Sequence, residues 1–189
     1  DYGTSLSLDA SGSIYTTGQY AGTMDFDPGA GIFSMTAAGG SDVYVTKTDA
    51  SGNFIWAKSM GGTLSEWGSA IEADNLGNVV LTGYFGGTAD FDPSPSVFNI
   101  VSVAVTTDIF LAKLDANGNF LWAKTAGNNT NTRIKNLSVD HSGKIYFALD
   151  AYGSICIRNN INDTCLFPGN ANSGAYLLNF DSSGNLNWS

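Results

Sequence analysis

Positive charge is scarce in this sequence. Its 189 residues hold 8 Lys+Arg against 17 Asp+Glu, a single His, and a formal net charge of −9. A polyphosphate backbone is repelled by that balance, and no basic stripe relieves it, which excludes nucleic acid as a partner. The acidic surplus favours solubility or attracts cations. Cysteine is equally scarce, with 2. Two thiols and His141 are too few for a zinc centre, and a catalytic thiol would lack a partner base. No apolar run approaches the roughly 18 residues of a membrane helix, so no membrane insertion is expected. No capped stretch has 3.6-residue periodicity, so helix content should be near zero. The opening DYGTSLSLD already lies inside a structural pattern and does not read as a signal peptide.

What is present is glycine (23 residues) and an apolar fraction of 43% beside only 13% charged residues. Such a chain folds around a core and turns often. It also repeats. Trp56, Trp122 and Trp188 recur every 66 residues, in SGNFIWAK, NGNFLWAK and SGNLNWS. A second marker keeps step: LDASGSIYTTG, ADNLGNVVLTG and VDHSGKIYFAL. Two markers in phase over three copies divide the chain into Asp1–Gly62, Thr63–Asn129 and Thr130–Ser189.

Within each copy the pattern has period two, the signature of strands. Leu6 and Leu8 share a face, as do Ile71 with Ala73 and Leu137 with Val139. Each copy carries two Asp-x-x-Gly turns, in which the Asp side chain accepts a backbone bond and Gly takes positive φ. Four antiparallel strands per copy, three times over, predict an all-β chain of three β-propeller blades of about 65 residues. The set is a partial propeller or half of a six-bladed ring. The small residues of the first strands (Ser5, Ser7, Ala70, Ala73, Ser138) suit a crowded innermost position. Trp56, Trp122 and Trp188 read as structural blade-to-blade contacts rather than sugar-stacking platforms.

The segments SGNFIWAK, DNLGNVVLTGYF, GTADFDP and DIFLAKLDANGNF resemble the SBBP beta-propeller repeat family of bacterial secreted and surface proteins. The likeness spans nearly the whole chain and is strongest in the first two copies. In the third, Gly18 and Gly83 give way to Leu149, Lys47 and Lys113 to Asn179, and Asp-Phe-Asp-Pro is lost. The resemblance implies a propeller at the cell surface or outside the cell, in an oxidising compartment, and no particular reaction.

The motif TMDFDPGAGIF returns as TADFDPSPSVF. Asp25/Asp27 and Asp90/Asp92 could present paired carboxylates to a hard cation such as Ca²⁺. Two carboxylates fall short of the 6–8 oxygens that Ca²⁺ prefers. The favoured reading has Phe26 and Phe91 turned inward, the Asp residues capping the turn and Pro28 or Pro93 fixing it. The register puts Cys156 where the third copy would have the counterpart of Asp90, and Cys165 near the counterpart of Phe98, so the two bracket the segment CIRNNINDTC. A disulfide there would close the same loop by another means, in keeping with the oxidising compartment that the resemblance implies.

Strand alternation sorts the connections. The tight turns lie on one face of the disc, and the long connections and the links between copies lie on the other, where ligands usually bind. Tyr2, Trp67 and Arg133 hold equivalent positions before the first strands. With Glu66 and Asn129 they form the candidate ligand-binding set. His141 sits in a tight turn, where a solvated role is favoured over a triad. Glu66, Glu72, Asp25 and Asp90 offer acids, but no spacing singles out a glycosidase pair at about 5–9 Å.

The expected function is therefore a non-catalytic extracellular module, a rigid scaffold or a binding platform for protein or glycan. The alternative is a propeller domain of a polysaccharide-active enzyme. Three blades leave two raw sheet faces. The expected partners are further blades of a parent chain, a second copy, or another surface protein.

Overall fold

The computed structural model describes residues 1–103, 107–127, 132–158, 163–167 and 173–189. Eighteen strands and no helix occur among them. The first repeat gives β1 (Tyr2–Leu8), β2 (Ile14–Tyr20), β3 (Thr23–Asp25), β4 (Ser34–Thr36), β5 (Asp42–Thr48) and β6 (Phe54–Gly62). The second gives β7 (Trp67–Ala73), β8 (Val79–Phe85), β9 (Thr88–Asp90), β10 (Asn99–Val101), β11 (Asp108–Leu114) and β12 (Phe120–Gly127). The third gives β13 (Thr132–Val139), β14 (Ile145–Tyr152), β15 (Ile155–Arg158), β16 (Asp163–Leu166), β17 (Ser173–Phe180) and β18 (Leu186–Trp188).

Each repeat builds one antiparallel meander: β1-β2-β5-β6, β7-β8-β11-β12 and β13-β14-β17-β18. Its turns come from one device used six times. In the turns opened by Asp9, Asp49, Asp74, Asp115, Asp140 and Asp181, Oδ1 accepts backbone N–H bonds from two and four residues on, at 2.8–3.0 Å. The glycine that closes each turn has φ between +77° and +84°, which a side chain would resist.

The connection between the second and third long strands is not an open loop. It folds into a short hairpin in every repeat: β3–β4, β9–β10 and β15–β16. Two of these hairpins cross into the preceding repeat. β9 pairs with β6 through Gly61↔Asp90 and Gly62↔Ala89, and β15 pairs with β12 through Thr125↔Arg158, Ala126↔Ile157 and Gly127↔Cys156. Two six-stranded sheets result where four strands were expected. The physical gain is coverage at the strand ends: the outer edges of Gly61–Gly62 and Thr125–Gly127 would otherwise offer unpaired amides to solvent.

The core lies between repeats as much as within them. One apolar cluster joins Tyr15, Val45 and Met60 of the first repeat to Ile71, Leu81 and Phe110 of the second. Another joins Val80 and Leu111 of the second to Leu137, Phe147 and Leu178 of the third. Each such side chain, buried whole, contributes about 1.5–3 kcal/mol. The first strands lie side by side, with β7 against both β1 and β13. Ser5 Oγ accepts the Ile71 amide (3.3 Å) and Ser7 Oγ the Ala73 amide (3.1 Å), so small hydroxyls bridge adjacent first strands.

The tryptophans cross the seams. Trp56 Nε1 donates to the Ala116 carbonyl at 3.2 Å, and Trp122 Nε1 to the Ser182 carbonyl at 3.3 Å, in each case in the second turn of the next repeat. Lys47 and Lys113 reach the same two carbonyls, at 3.3 and 3.2 Å. Trp188 departs from its expected blade-to-blade role. Its ring is tilted 60° to that of Tyr146, with 6.4 Å between centroids, and it is 48% exposed.

Candidate functional site

The Asp-Phe-Asp-Pro segments sit in the hairpins. Asp25 Oδ1 accepts the amides of Asp27 (3.1 Å) and Phe33 (2.8 Å), and Asp27 Oδ1 accepts that of Gly29 (2.8 Å). The second copy repeats this: Asp90 Oδ1 takes Asp92 (3.0 Å) and Phe98 (2.8 Å), and Asp92 Oδ1 takes Ser94 (2.9 Å). The Phe33 and Asp27 amides hold the Asp25 carboxyl below the usual range. Phe26 and Phe91 turn inward and meet Tyr20 and Phe85 edge-to-face, at 5.0 and 5.4 Å. The first Asp of each pair thus ties the hairpin's two strands together across eight residues. Among the described residues no group of three or more His, Cys, Asp or Glu could hold a metal ion.

In the third repeat Cys156 and Cys165 stand directly opposite each other in β15 and β16 and are disulfide-bonded. The bond spans 9 residues, against 8 for the Asp25–Phe33 and Asp90–Phe98 bonds, so a covalent tie replaces a carboxylate tie in one place.

The strand-start set is spread along one rim. Tyr2, Trp67 and Arg133 occupy matching registers, opposite Gln19, Tyr84 and Asp150. Tyr2 is 70% exposed and Arg133 is also exposed. Trp67 is half-buried and stacks on Tyr84, with centroids 5.3 Å apart and planes 31° apart. Asn129 lies outside the described residues.

Glu66 does not belong to this surface. It is completely buried, its Oε2 accepts the Gly62 amide at 2.8 Å, and its own amide donates to Ser41 O at 2.8 Å. Burial raises its pKa, the nearby Asp42 charge adds to the rise, and the Gly62 and Gly86 amides oppose it. A polar residue in a link between repeats reads as solvent-facing, yet here it fastens the link from within.

Two further carboxylates carry no obvious signal in the sequence. Asp42 and Asp108 open β5 and β11 and are buried. Asp42 Oδ2 accepts the Ala38 amide (3.0 Å) and the Ser59 hydroxyl (3.1 Å), and Asp108 Oδ2 accepts the Val103 amide (2.8 Å). Gly61 and Gly127 face them so closely that an added Cβ would sit 2.5 Å from the carboxylate. The usable signal was an Asp opening the third long strand of a repeat and a glycine recurring five residues after the Trp. Burial raises the Asp108 pKa, against the Val103 amide and the charge of Arg158. These acids brace loop ends.

On the tight-turn face a groove of about 230 Å³ runs between the second and third repeats, lined by Asp74, Lys113, His141 and Ser182 among others. Its charges are engaged: Lys113 Nζ lies 3.6 Å from Asp74 Oδ2, and Asn78 Nδ2 donates to that oxygen at 2.8 Å. His141 Nδ1 is 3.2 Å from Asn75 Nδ2 in an exposed contact.

No protein-family model matches the chain. An uncharacterised WD repeat-containing protein of Acanthamoeba polyphaga mimivirus is 28% identical over 148 residues, which cover 74% of this chain and 11% of that relative. The chain thus spans about a tenth of the length of the relative it matches. A set of antiparallel sheets, with no helix among the described residues, and a similarity to a WD-repeat protein agree on a propeller-like repeat architecture.

Proposed function

We propose that this chain is a non-catalytic propeller module of the SBBP type, with blades at 1–62, 63–129 and 130–189, acting as a rigid scaffold and protein-binding platform. The observation that carries the reading is the use of its polar chemistry. The tryptophan N–H groups and lysines of the first two repeats bind turn carbonyls of the next. The buried acids close loops. Residues spent in this way hold a frame rigid and leave the exposed rim for recognition. The disulfide and the family resemblance support an extracellular or cell-surface setting. The WD-repeat relative supports a scaffold built from repeats.

The rim of Tyr2, Trp67 and Arg133 is the proposed contact surface, with protein or glycan as its ligand. The test is a binding screen of the 189-residue chain against surface proteins and polysaccharides, with a parallel assay for released reducing ends. Saturable binding that Trp67→Ala and Arg133→Ala weaken, without release of sugar, is the expected result. Steady polysaccharide cleavage would overturn the reading in favour of an enzyme domain.

A further inference from the structure

The two internal seams differ at one position of the second long strand. β2 and β14 carry Tyr15 and Tyr146 where β8 carries Val80. Tyr15 stands opposite Lys47 and Val80 opposite Lys113, so the registers match. In the first seam the Tyr15 phenol is completely buried. Its hydroxyl lies 3.1 Å from Asp9 Oδ2 and 3.0 Å from the Gly77 carbonyl, two acceptors for one donor. Lys47 Nζ sits 4.9 Å from the centre of its ring, and Trp56 meets the ring edge-on with 6.1 Å between centroids.

In the second seam the counterparts of Asp9, Gly77 and Lys47 are Asp74, Gly143 and Lys113. All three line the groove of about 230 Å³. Val80 is buried and brings them neither a ring nor a hydroxyl. A Cβ on Gly77 would meet the Tyr15 hydroxyl at 3.0 Å, whereas the nearest atoms to one on Gly143 are Ser182 Cβ at 3.3 Å and Asp74 Oδ2 at 3.9 Å. Asn78 Nδ2 bonds to Asp74 Oδ2, and a carboxylate oxygen can accept a further bond.

We propose that this groove binds one neutral phenol, which supplies to the second seam the ring and hydroxyl that Tyr15 supplies to the first. The hydroxyl donates to Asp74 Oδ2 or to the Gly143 carbonyl, and the ring lies beside Lys113 Nζ, where a cation attracts an aromatic face. The ligand is neutral because Lys113 and Asp74, both buried, already pair at 3.6 Å and leave no net charge for an ion. It is a single ring because the groove is smaller than the roughly 300–1,000 Å³ of sites for drug-sized ligands. Leu76, which is 80% exposed, and the His141 imidazole offer the ring its outer walls. Free phenols and the tyrosine side chain of a partner share this chemistry. The site lies on the tight-turn face, away from the rim of Tyr2, Trp67 and Arg133, and does not depend on that rim's role.

The chain has 1 His, so the ring-proton NMR signals of His141 report on the groove without a label. The experiment titrates 4-methylphenol into the 189-residue chain at neutral pH, with toluene as the partner lacking the hydroxyl. The expected result is a saturable shift of the His141 signals by 4-methylphenol, with half-saturation on the order of 1 mM. Toluene should bind at least about tenfold more weakly, because it leaves the groove's acceptors unpaired. Val80→Tyr places the first seam's own residue in the second and should abolish the shift while far-ultraviolet circular dichroism keeps its β signal. Should that variant lose its β signal, the comparison with toluene decides by itself. N-acetyltyrosinamide separates the sources: a shift equal to that of 4-methylphenol points to a tyrosine of a partner chain, and none points to a free phenol. No saturable shift by 4-methylphenol up to about 20 mM would mean that the groove holds only water and would overturn the inference. Equal binding of toluene, or unchanged binding by a folded Val80→Tyr variant, would overturn it as well.

Discussion

The second repeat is enclosed on both sides, and the outer two are enclosed on one. Ile71 and Leu111 of the second repeat are 1% and 2% exposed, while their counterparts at the chain's ends, Leu6 and Leu177, are 60% and 50% exposed. The residue types hardly change between these positions. What changes is whether a neighbouring repeat lies against them. Burial in a repeat protein is thus a property of neighbours, and stability adds up from seams rather than from a single central core.

The largest break in this comparison should come from truncating the enclosed position. Leu111→Ala removes a buried side chain between two repeats and should cost about 2–5 kcal/mol. Leu177→Ala, at the same register on the open face, should cost under about 1 kcal/mol while the chain is a single copy. Urea denaturation of both variants at low concentration checks the contrast. Equal losses would mean that the open face is already covered in solution.

Lys113 tests the same contrast with charge. It is 3% exposed, lies 3.6 Å from Asp74, and donates to the Ser182 carbonyl of the next repeat. Lys113→Ala strands a buried carboxylate and should cost about 3 kcal/mol, at the low end for a broken buried pair because Asp74 keeps its bonds from Leu76 and Asn78. The third repeat has Asn179 in that place, which is also buried and donates to the Ile145 carbonyl at 3.2 Å. Asn179→Ala removes that bond and the one its Oδ1 accepts from Asn187 Nδ2 (3.0 Å), and should cost about 1–3 kcal/mol, the worth of two neutral hydrogen bonds.

Much of this architecture could be read from the chain. The interval between tryptophans and the Asp-x-x-Gly turns are local and repeated, and each turn needs only five consecutive residues to define its bonds. The hairpins were not legible. Strands of three or four residues are too short to show a period, and the pairing of β9 with β6 joins residues from different repeats. Glu66 was misread for a related reason. Sequence shows that a residue is polar and lies in a link, but not that the link passes under the Gly61–Gly62 strand end. Trp188 marks the opposite limit: its pattern matches Trp56 and Trp122, and its surroundings do not.

A third test separates the two kinds of hairpin clasp. Reducing Cys156–Cys165, or replacing both cysteines by Ser, reopens a loop with a sequence separation of 9 residues and should cost on the order of 2–3 kcal/mol in the chain-entropy model. Asp90→Ala removes two amide bonds to a carboxylate and should cost about 1.5–3 kcal/mol. Thermal melts with and without reductant read both effects. A reductant-sensitive Asp90→Ala variant whose loss is no larger than that of the parent would show that the two clasps act independently.

The smallest effect is set by pH and distinguishes the turn acids from the buried ones. Burial works against the Asp9 charge, but bonds from Ser11, Ser13 and Tyr15 outweigh it and bring its pKa from 3.8 down to about 2. A lowered folded-state pKa favours folding above the unfolded value, and that contribution fades as pH falls from about 4 towards 2. Glu66 has the opposite sign. Its raised pKa means that the folded state holds the proton more tightly, so its contribution is complete below the ordinary glutamate range and is lost as pH rises through the raised value. Asp9→Asn should flatten the acid limb of a plot of melting temperature against pH, and Glu66→Gln should flatten the limb above it. The two substitutions therefore change different parts of one curve, and a variant that flattened the other's limb would show that the assigned signs are wrong.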